Sequence, residues 1–217
     1  TFIGIKILKA FEVNDVPNEA LAKIACDSKY WMWINGEMAV FEGQLKRGPS
    51  PDDTYYDEVD IAPFLKQGKN FISILVWYFG KDGFSHNSSG KAALIFDCQT
   101  QGFDLLSDLT WKASIRREFG TAGLPLPNFR LSESSIRYDA RLGNFDFITS
   151  NKLKWGRTRS LGTPPIAPWN NLVKRPLPLW RDYGMKNYAN EMKFPFVSIG
   201  DTIVCQLPYN AQITPYF

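Results

Sequence analysis

The sequence has 217 residues, of which 44% are hydrophobic, 15% aromatic and 22% charged. A chain of this length fits one large domain and buries roughly 70–75% of its unfolded surface, enough to fold without disulfides or metal. Its aromatic content excludes intrinsic disorder. The lack of an apolar run of about 18 residues excludes a membrane-spanning helix, and the lack of any period excludes collagen-like and coiled-coil arrays.

The formal net charge of +3 is unevenly divided. Residues 1–100 hold 10 basic and 13 acidic groups, and residues 101–217 hold 15 and 9. Between Lys112 and Lys186 there are 14 basic and 5 acidic side chains. Nucleic-acid binding would require these cations on one face, interleaved with aromatics, and no nucleic-acid fold motif accompanies them. Cations spread over a surface, some paired with carboxylates, are the favoured reading. The three cysteines, Cys26, Cys98 and Cys205, lie far apart, outside any CxxC and away from histidine. Zinc and redox motifs fail on that spacing, and buried free thiols are expected.

In chain order, strand signals dominate. Ala20, Ala22 and Ile24 alternate with Leu21, Lys23 and Ala25, the period of a half-buried strand. Tyr30 to Ile34 forms an aromatic strand, Asn35-Gly36 a tight hairpin turn, and Met38 to Phe41 the return; both turn positions tolerate positive φ. Asp60 to Leu65 predicts one helical turn capped by Asp60, with Pro63 in its first turn and Gly68 ending it. Phe71 to Phe79 (FISILVWYF) reads as a central strand buried on both faces, and Lys91 to Asp97 as another strand. Leu124 to Phe129 is a proline-broken loop. Five prolines between 164 and 178 predict an extended arm outside central sheet positions, with Trp169 and Trp180 pinning it to the body. Phe194–Ile199 and Thr202–Leu207 predict a last strand pair. Short strands without intervening helices argue an all-β fold, an antiparallel jelly-roll-like β-sandwich with long proline-rich loops. It would occupy residues 1–180, with 181–217 completing the sheet or opening a further β-domain.

The motifs in this series carry a resemblance. Tyr30-Trp31-Met32-Trp33-Ile34-Asn35-Gly36 is followed by Tyr55-Tyr56-Asp57-Glu58-Val59-Asp60-Ile61, then Gly68-Lys69-Asn70 and the apolar strand, then Asp108-Leu109-Thr110-Trp111-Lys112, then Tyr138-Asp139-Ala140-Arg141. The order and spacing resemble the N-terminal, non-catalytic β-sandwich, of the galactose-binding-like jelly-roll type, in bacterial α-L-rhamnosidases. That resemblance implies glycoside hydrolysis by two carboxylic acids in a separate α/α barrel further along the polypeptide, with this chain as an excised portion and no catalytic residues of its own. It implies a periplasmic or secreted setting, the downstream barrel and β-domains as partners, and a rhamnose-containing glycan as a candidate ligand. Some sugar-binding relatives use calcium, which needs six to eight oxygens.

The candidate sugar-binding loop leaves the central strand at Trp77 to Asn87. It offers Trp77 and Tyr78 for stacking and Asp82, His86 and Asn87 for hydroxyl groups, with Phe84 beside them. Asn35 and Glu37 lie near or far from it. Core packing of Trp77 and Tyr78, and turn chemistry for Asp82 and Asn87, are the alternatives. Asp52-Asp53, Asp57-Glu58 and Asp60 read as a solvated surface or a cation site rather than an acid/base pair. A ligand-free interface domain is the rival function, marked by exposed apolar surface at Trp155, Trp169 or Trp180.

Overall fold

The computed structural model describes residues 3–43, 45–83, 86–121, 136–143, 148, 155–181, 183–191, 200, 202 and 204–210. The strands in chain order are β1 (Ile3–Val13), β2 (Leu21–Cys26), β3 (Lys29–Ile34), β4 (Glu37–Val40), β5 (Thr54–Asp60), β6 (Gly68–Tyr78), β7 (Leu94–Gln99), β8 (Asp104–Leu106), β9 (Lys112–Arg116), β10 (Phe119–Thr121), β11 (Ile136–Tyr138), β12 (Gly156–Arg157) and β13 (Leu172–Lys174). Among the described residues they form a six-stranded sheet in the order β12-β9-β1-β6-β3-β4, a five-stranded sheet in the order β13-β5-β2-β7-β8, and the pair β10-β11. The fold is all-β and sandwich-like, as the sequence predicts. Every strand pair but one is antiparallel; β13 runs parallel to β5. The residues separate into two compact units, 1–180 and 181–217. The strand predicted over Phe194–Ile199 and the loop over Leu124–Phe129 lie outside the described residues.

Side-chain alternation explains how the sheets face each other. On β6, Ile72, Ile74 and Val76 point into the core, where Tyr30, Met32 and Ile34 of β3 and Ile7 of β1 join them. From the other sheet come Ala22, Ile24 and Cys26 of β2, Phe96 and Cys98 of β7, and Val59 of β5. Exposed Leu21 and Lys23 alternate with buried Ala22 and Ile24, so β2 has the one wet face that its period of two requires. All three cysteines are free thiols; Cys26 and Cys98 are buried and Cys205 is half-buried. Burial, helped by nearby carboxylates, pushes the Cys98 thiol up to about 11 and that of Cys26 well above its ordinary value.

The opposite face of β6 is covered as well. Leu75 and Trp77 project there beside Trp31 and Trp33, and Phe119 and Ile148 pack over them. Trp77 meets Trp31 at 5.7 Å and Phe119 at 5.4 Å between ring centroids, and Tyr138 of β11 continues the row at 5.0 Å from Phe119. Gly4 permits this layer, since a Cβ there would stand 2.8 Å from the Phe119 ring. The two-sided burial predicted for Phe71 to Phe79 therefore holds, and the chain's own later strands supply the second cover. Lys6 is enclosed on this face with its ammonium 5.1 Å from the centre of the Trp155 ring. Burial, with Arg116 nearby, lowers it to about 8.

The turns use polar side chains as clasps. Asn35 (φ 53°) and Gly36 (φ 92°) adopt the left-handed conformations that the β3–β4 hairpin needs. The Asn35 amide donates to the Phe64 carbonyl at 2.9 Å and to Asn70 Oδ1 at 2.7 Å, and its oxygen accepts from the Phe71 N–H at 3.1 Å. Asn70, fully buried, donates to the carbonyls of Lys66 (2.6 Å) and Gly68 (2.8 Å). The expected helical turn is a single 3-10 turn, Ala62–Phe64, with Ile61 at its cap position. Asp60 serves it differently from an N-cap: Oδ1 accepts from the N–H of Ala62 (3.0 Å) and of Ala20 (2.9 Å), joining two chain segments. Gly68 does not end that turn; it opens β6 with φ +85°.

The proline-rich arm is fastened by charge. Leu172–Lys174 pairs with Thr54–Tyr56, which places Arg175 Nε 2.8 Å from Asp57 Oδ1. Tyr30 donates its phenol proton to Asp57 Oδ2 at 2.9 Å. Burial and the adjacent Asp57 hold the Tyr30 phenol well above its ordinary pKa. Lys174 pairs with Glu58 at the surface. Trp169 is buried and pins the arm as expected, with the Lys46 ammonium 5.5 Å above its ring; Trp180 is 68% exposed and, among the described residues, does not share that role. Removing Arg175 leaves a buried carboxylate without its cation, whereas Lys174 contributes through a solvated pair. Urea unfolding is expected to show Arg175→Ala destabilised by about 3–5 kcal/mol and Lys174→Ala affected far less, since its pair is solvated. Equal losses would refute the clasp.

Candidate functional site

The loop that leaves β6 is held by one carboxylate. Asp27, fully buried in the β2–β3 turn, accepts at Oδ1 from the Ser28 hydroxyl (2.6 Å). At Oδ2 it accepts from the Ser89 N–H (2.5 Å), the Ser89 hydroxyl (2.8 Å) and the Ser88 hydroxyl (3.1 Å). Ser28 Oγ in turn accepts from the Phe79 N–H at 3.0 Å, and the Ser28 N–H donates to the Trp77 carbonyl at 2.9 Å. Four polar donors on one buried carboxylate tie both ends of the loop to the sheet, each hydrogen bond to a charged group contributing roughly 1.5–3 kcal/mol.

The sequence candidates fall into different places. Trp77 is buried between Trp31 and Phe119, and its indole N–H has no partner among the described residues. At 8% exposure its ring packs in the core with these neighbours rather than standing open at the surface. Tyr78 is half-buried at the strand end. Asp82 accepts from the Ser88 N–H at 2.7 Å, which is turn chemistry. His86 is buried edge-on to Phe79, centroids 4.8 Å apart, and its Nε2 lies 2.8 Å from the Lys81 carbonyl. A carbonyl only accepts, so Nε2 carries a proton. Asn87 is exposed. Phe84 lies outside the described residues. Asn35 and Glu37 are remote: Ile34 pairs with Ile72 while Lys29 pairs with Trp77, which puts the hairpin about 17 Å or more along β6 from the loop.

The structure brings His86 and Asn87 together with a stretch that no sequence signal singled out. Arg47, Gly48, Pro49, Ser50 and Pro51 line a shallow, open pocket with them, of about 190 Å3. The Asn87 N–H donates to the Lys46 carbonyl at 3.0 Å and its side-chain amide to the Pro51 carbonyl at 3.3 Å, locking the two walls. Gly48 is required there, since a Cβ would lie 2.1 Å from the Asp53 carbonyl oxygen. Burial lowers Lys46, beneath the pocket wall, below the ordinary lysine value against the opposing pull of Asp27 and Asp82.

Of the acidic residues from Asp52 to Asp60, Asp52 is exposed as the solvated reading expects, while the others are engaged by the chain itself. Asp57 is ion-paired and buried, Asp60 joins backbone segments, and Glu58 pairs with Lys174. Asp53 accepts from the Ser50 hydroxyl (3.0 Å) and the Asn171 amide (3.1 Å). No group of three or more His, Cys, Asp or Glu among the described residues is placed to hold a metal. Asp27 and Asp53 already have protein donors on both carboxylate oxygens, so these residues do not fit a calcium shell of six to eight oxygens. Several cations of the second half are paired internally: Arg116 with Glu118 at 2.5 Å, Arg175 with Asp57, and Arg141 with Asp139 through two contacts of 2.8 and 2.6 Å. The Tyr138-Asp139-Ala140-Arg141 motif is thus structural, and its half-buried Asp139 lies below the ordinary carboxylate range because Arg141 donates to it.

Replacing Asp27 with Ala is expected to cost about 3–5 kcal/mol, through loss of buried hydrogen bonds to a charge, and to accelerate amide exchange at Ser88 and Ser89. Asn87→Ala should change stability by no more than about 0.5 kcal/mol, as a surface substitution. Urea unfolding and hydrogen exchange measure both; an Asp27→Ala chain with unchanged exchange at Ser89 would refute the tether.

No family model and no curated protein sequence matches the chain. Solved structures do. A GH78 family rhamnosidase of Bacillus sp. GL1 is similar over 82% of this chain and 18% of its own, with a TM-score of 0.67 and 26% identity. The α-L-rhamnosidase from Dictyoglumus thermophilum is similar over 79% of this chain and 19% of its own (TM-score 0.55, 18% identity). That from Aspergillus terreus is similar over 75% and 20% (TM-score 0.52, 22% identity). The chain spans about a fifth of the length of these enzymes. It is similar, in fold and over most of its length, to an all-β region of GH78 α-L-rhamnosidases.

Proposed function

We propose that this chain is a non-catalytic accessory β-sandwich of an α-L-rhamnosidase-like glycoside hydrolase, working outside the cytoplasm, that contacts a rhamnose-containing glycan. The observation that carries the reading is the likeness to the Bacillus enzyme over 82% of the chain. The engagement of the carboxylates supports it. Glycosidic hydrolysis needs two carboxyl groups facing each other across a cleft, roughly 5–9.5 Å apart. Here Asp27, Asp53, Asp57, Glu58 and Asp60 hold strands, turns and the arm instead. Glycan contact falls to the Asn87 pocket rather than to Trp77, because there exposed polar groups meet an open concavity, whereas Trp77 is 8% exposed. No metal enters the reading.

A second reading, a ligand-free interface that positions the remainder of a larger enzyme, is favoured by Leu177 and Trp180, each 68% exposed on the anchored arm. Trp169 and Trp155, buried and half-buried, do not contribute to it. Nucleic-acid binding loses ground because Arg116, Arg141, Lys174 and Arg175 face carboxylates of the same chain.

Isothermal titration with L-rhamnose and a rhamnose-containing oligosaccharide, in calcium and in EDTA, separates the readings. Saturable heat from the oligosaccharide, equal in both buffers, is expected. Heat in neither buffer would move the assignment to the interface role.

A further inference from the structure

We propose that the pocket between residues 47–51 and His86-Asn87 takes a carboxylated sugar, a uronate unit of the glycan; the inference rests on the glycan-contact reading and names its chemical class. The lining carries one cation and no carboxylate. Arg47 is exposed, and its guanidinium has no partner among the described residues. Arg116, Arg141 and Arg175, by contrast, each sit on a carboxylate of the chain. An unengaged planar fork at the rim of a pocket matches a carboxylate in two parallel charge-assisted hydrogen bonds, whereas the hydroxyl groups of a neutral sugar accept from it without the opposite charge.

The rest of the pocket suits a sugar ring. Asn87 uses its N–H2 toward the Pro51 carbonyl, and its amide oxygen remains an acceptor for a hydroxyl group. Ser50 donates its proton to Asp53 Oδ2 and keeps acceptor capacity on the oxygen. Pro49 and Pro51 supply the apolar side chains of a lining that is otherwise mostly polar, as a hydroxyl-rich ring requires. The walls are pre-organised: the Tyr55 N–H donates to the Arg47 carbonyl at 2.6 Å, and the Asn87 N–H to the Lys46 carbonyl at 3.0 Å. Little ordering entropy is then left to lose on binding. A volume of about 190 Å3, below the roughly 300–1,000 Å3 of drug-sized pockets, suits a single ring whose neighbours in the glycan extend into solvent.

The test is an NMR titration of the whole chain with sodium D-glucuronate, alongside D-glucose, sodium acetate and inorganic phosphate. Saturable shifts of the Arg47, Ser50 and Asn87 amides are expected with glucuronate and not with glucose. Arg47→Gln should weaken binding about tenfold or more, the worth of one hydrogen-bonded charge, and Arg47→Lys should weaken it less, with thermal unfolding unchanged in both. Absent saturation, insensitivity to Arg47→Gln, or equal affinity for acetate or phosphate would overturn the proposal. If the rhamnose-containing oligosaccharide still gives heat that Arg47→Gln leaves intact, the uronate assignment falls while the accessory role stands.

Discussion

A strand that is apolar on both sides must be covered on both sides, and β6 imposes that condition on the whole chain. Ile72, Ile74 and Val76 require the second sheet; Leu75 and Trp77 require a further layer, which Phe119 and Ile148 provide. Each buried side chain of this size contributes roughly 1.5–3 kcal/mol, so the outer layer is part of the core rather than decoration. The same condition buries Trp77 in the core, at 8% exposure. It also explains why Gly4 lies under the Phe119 ring, where a side chain would prevent closure.

Charge does the fastening that short strands cannot. The three-residue β13 would be marginal alone, but Asp57, Tyr30 and Arg175 join it to the core through a buried carboxylate. Asp27 does the same for the loop after β6. In both cases the carboxylate already has its donors, which leaves it poorly suited to proton transfer or to a metal.

Period and turn chemistry made much of this legible beforehand. The alternation over Ala20 to Ala25, the Asn35-Gly36 hairpin and the apolar run to Phe79 are local signals, and each matches its element. The motifs that carry the rhamnosidase resemblance turn out to be clasps: Asn35 with Asn70, Asp60 on two backbone amides, Trp111 donating to the Leu106 carbonyl at 2.7 Å, and Asp139 with Arg141. They report architecture, which is why they pointed to a fold more clearly than to a site. Partners far apart in sequence were not legible. Nothing local to Asp57-Glu58 marks Arg175 and Lys174 as their cations, so those acids read as surface. The pocket was missed for a similar reason. Arg47 to Pro51 carries only turn residues, and its meaning comes from His86 and Asn87 across the fold.

Together these features support a body built to hold shape, with Asp27, Asp53, Asp57, Glu58 and Asp60 committed to that task and a shallow polar pocket open beside Asn87. The most direct test of that account is release of nitrophenol from 4-nitrophenyl α-L-rhamnoside by this chain alone. The account predicts none above the buffer blank. Sustained release that scales with protein concentration and follows the chain through successive columns would contradict it.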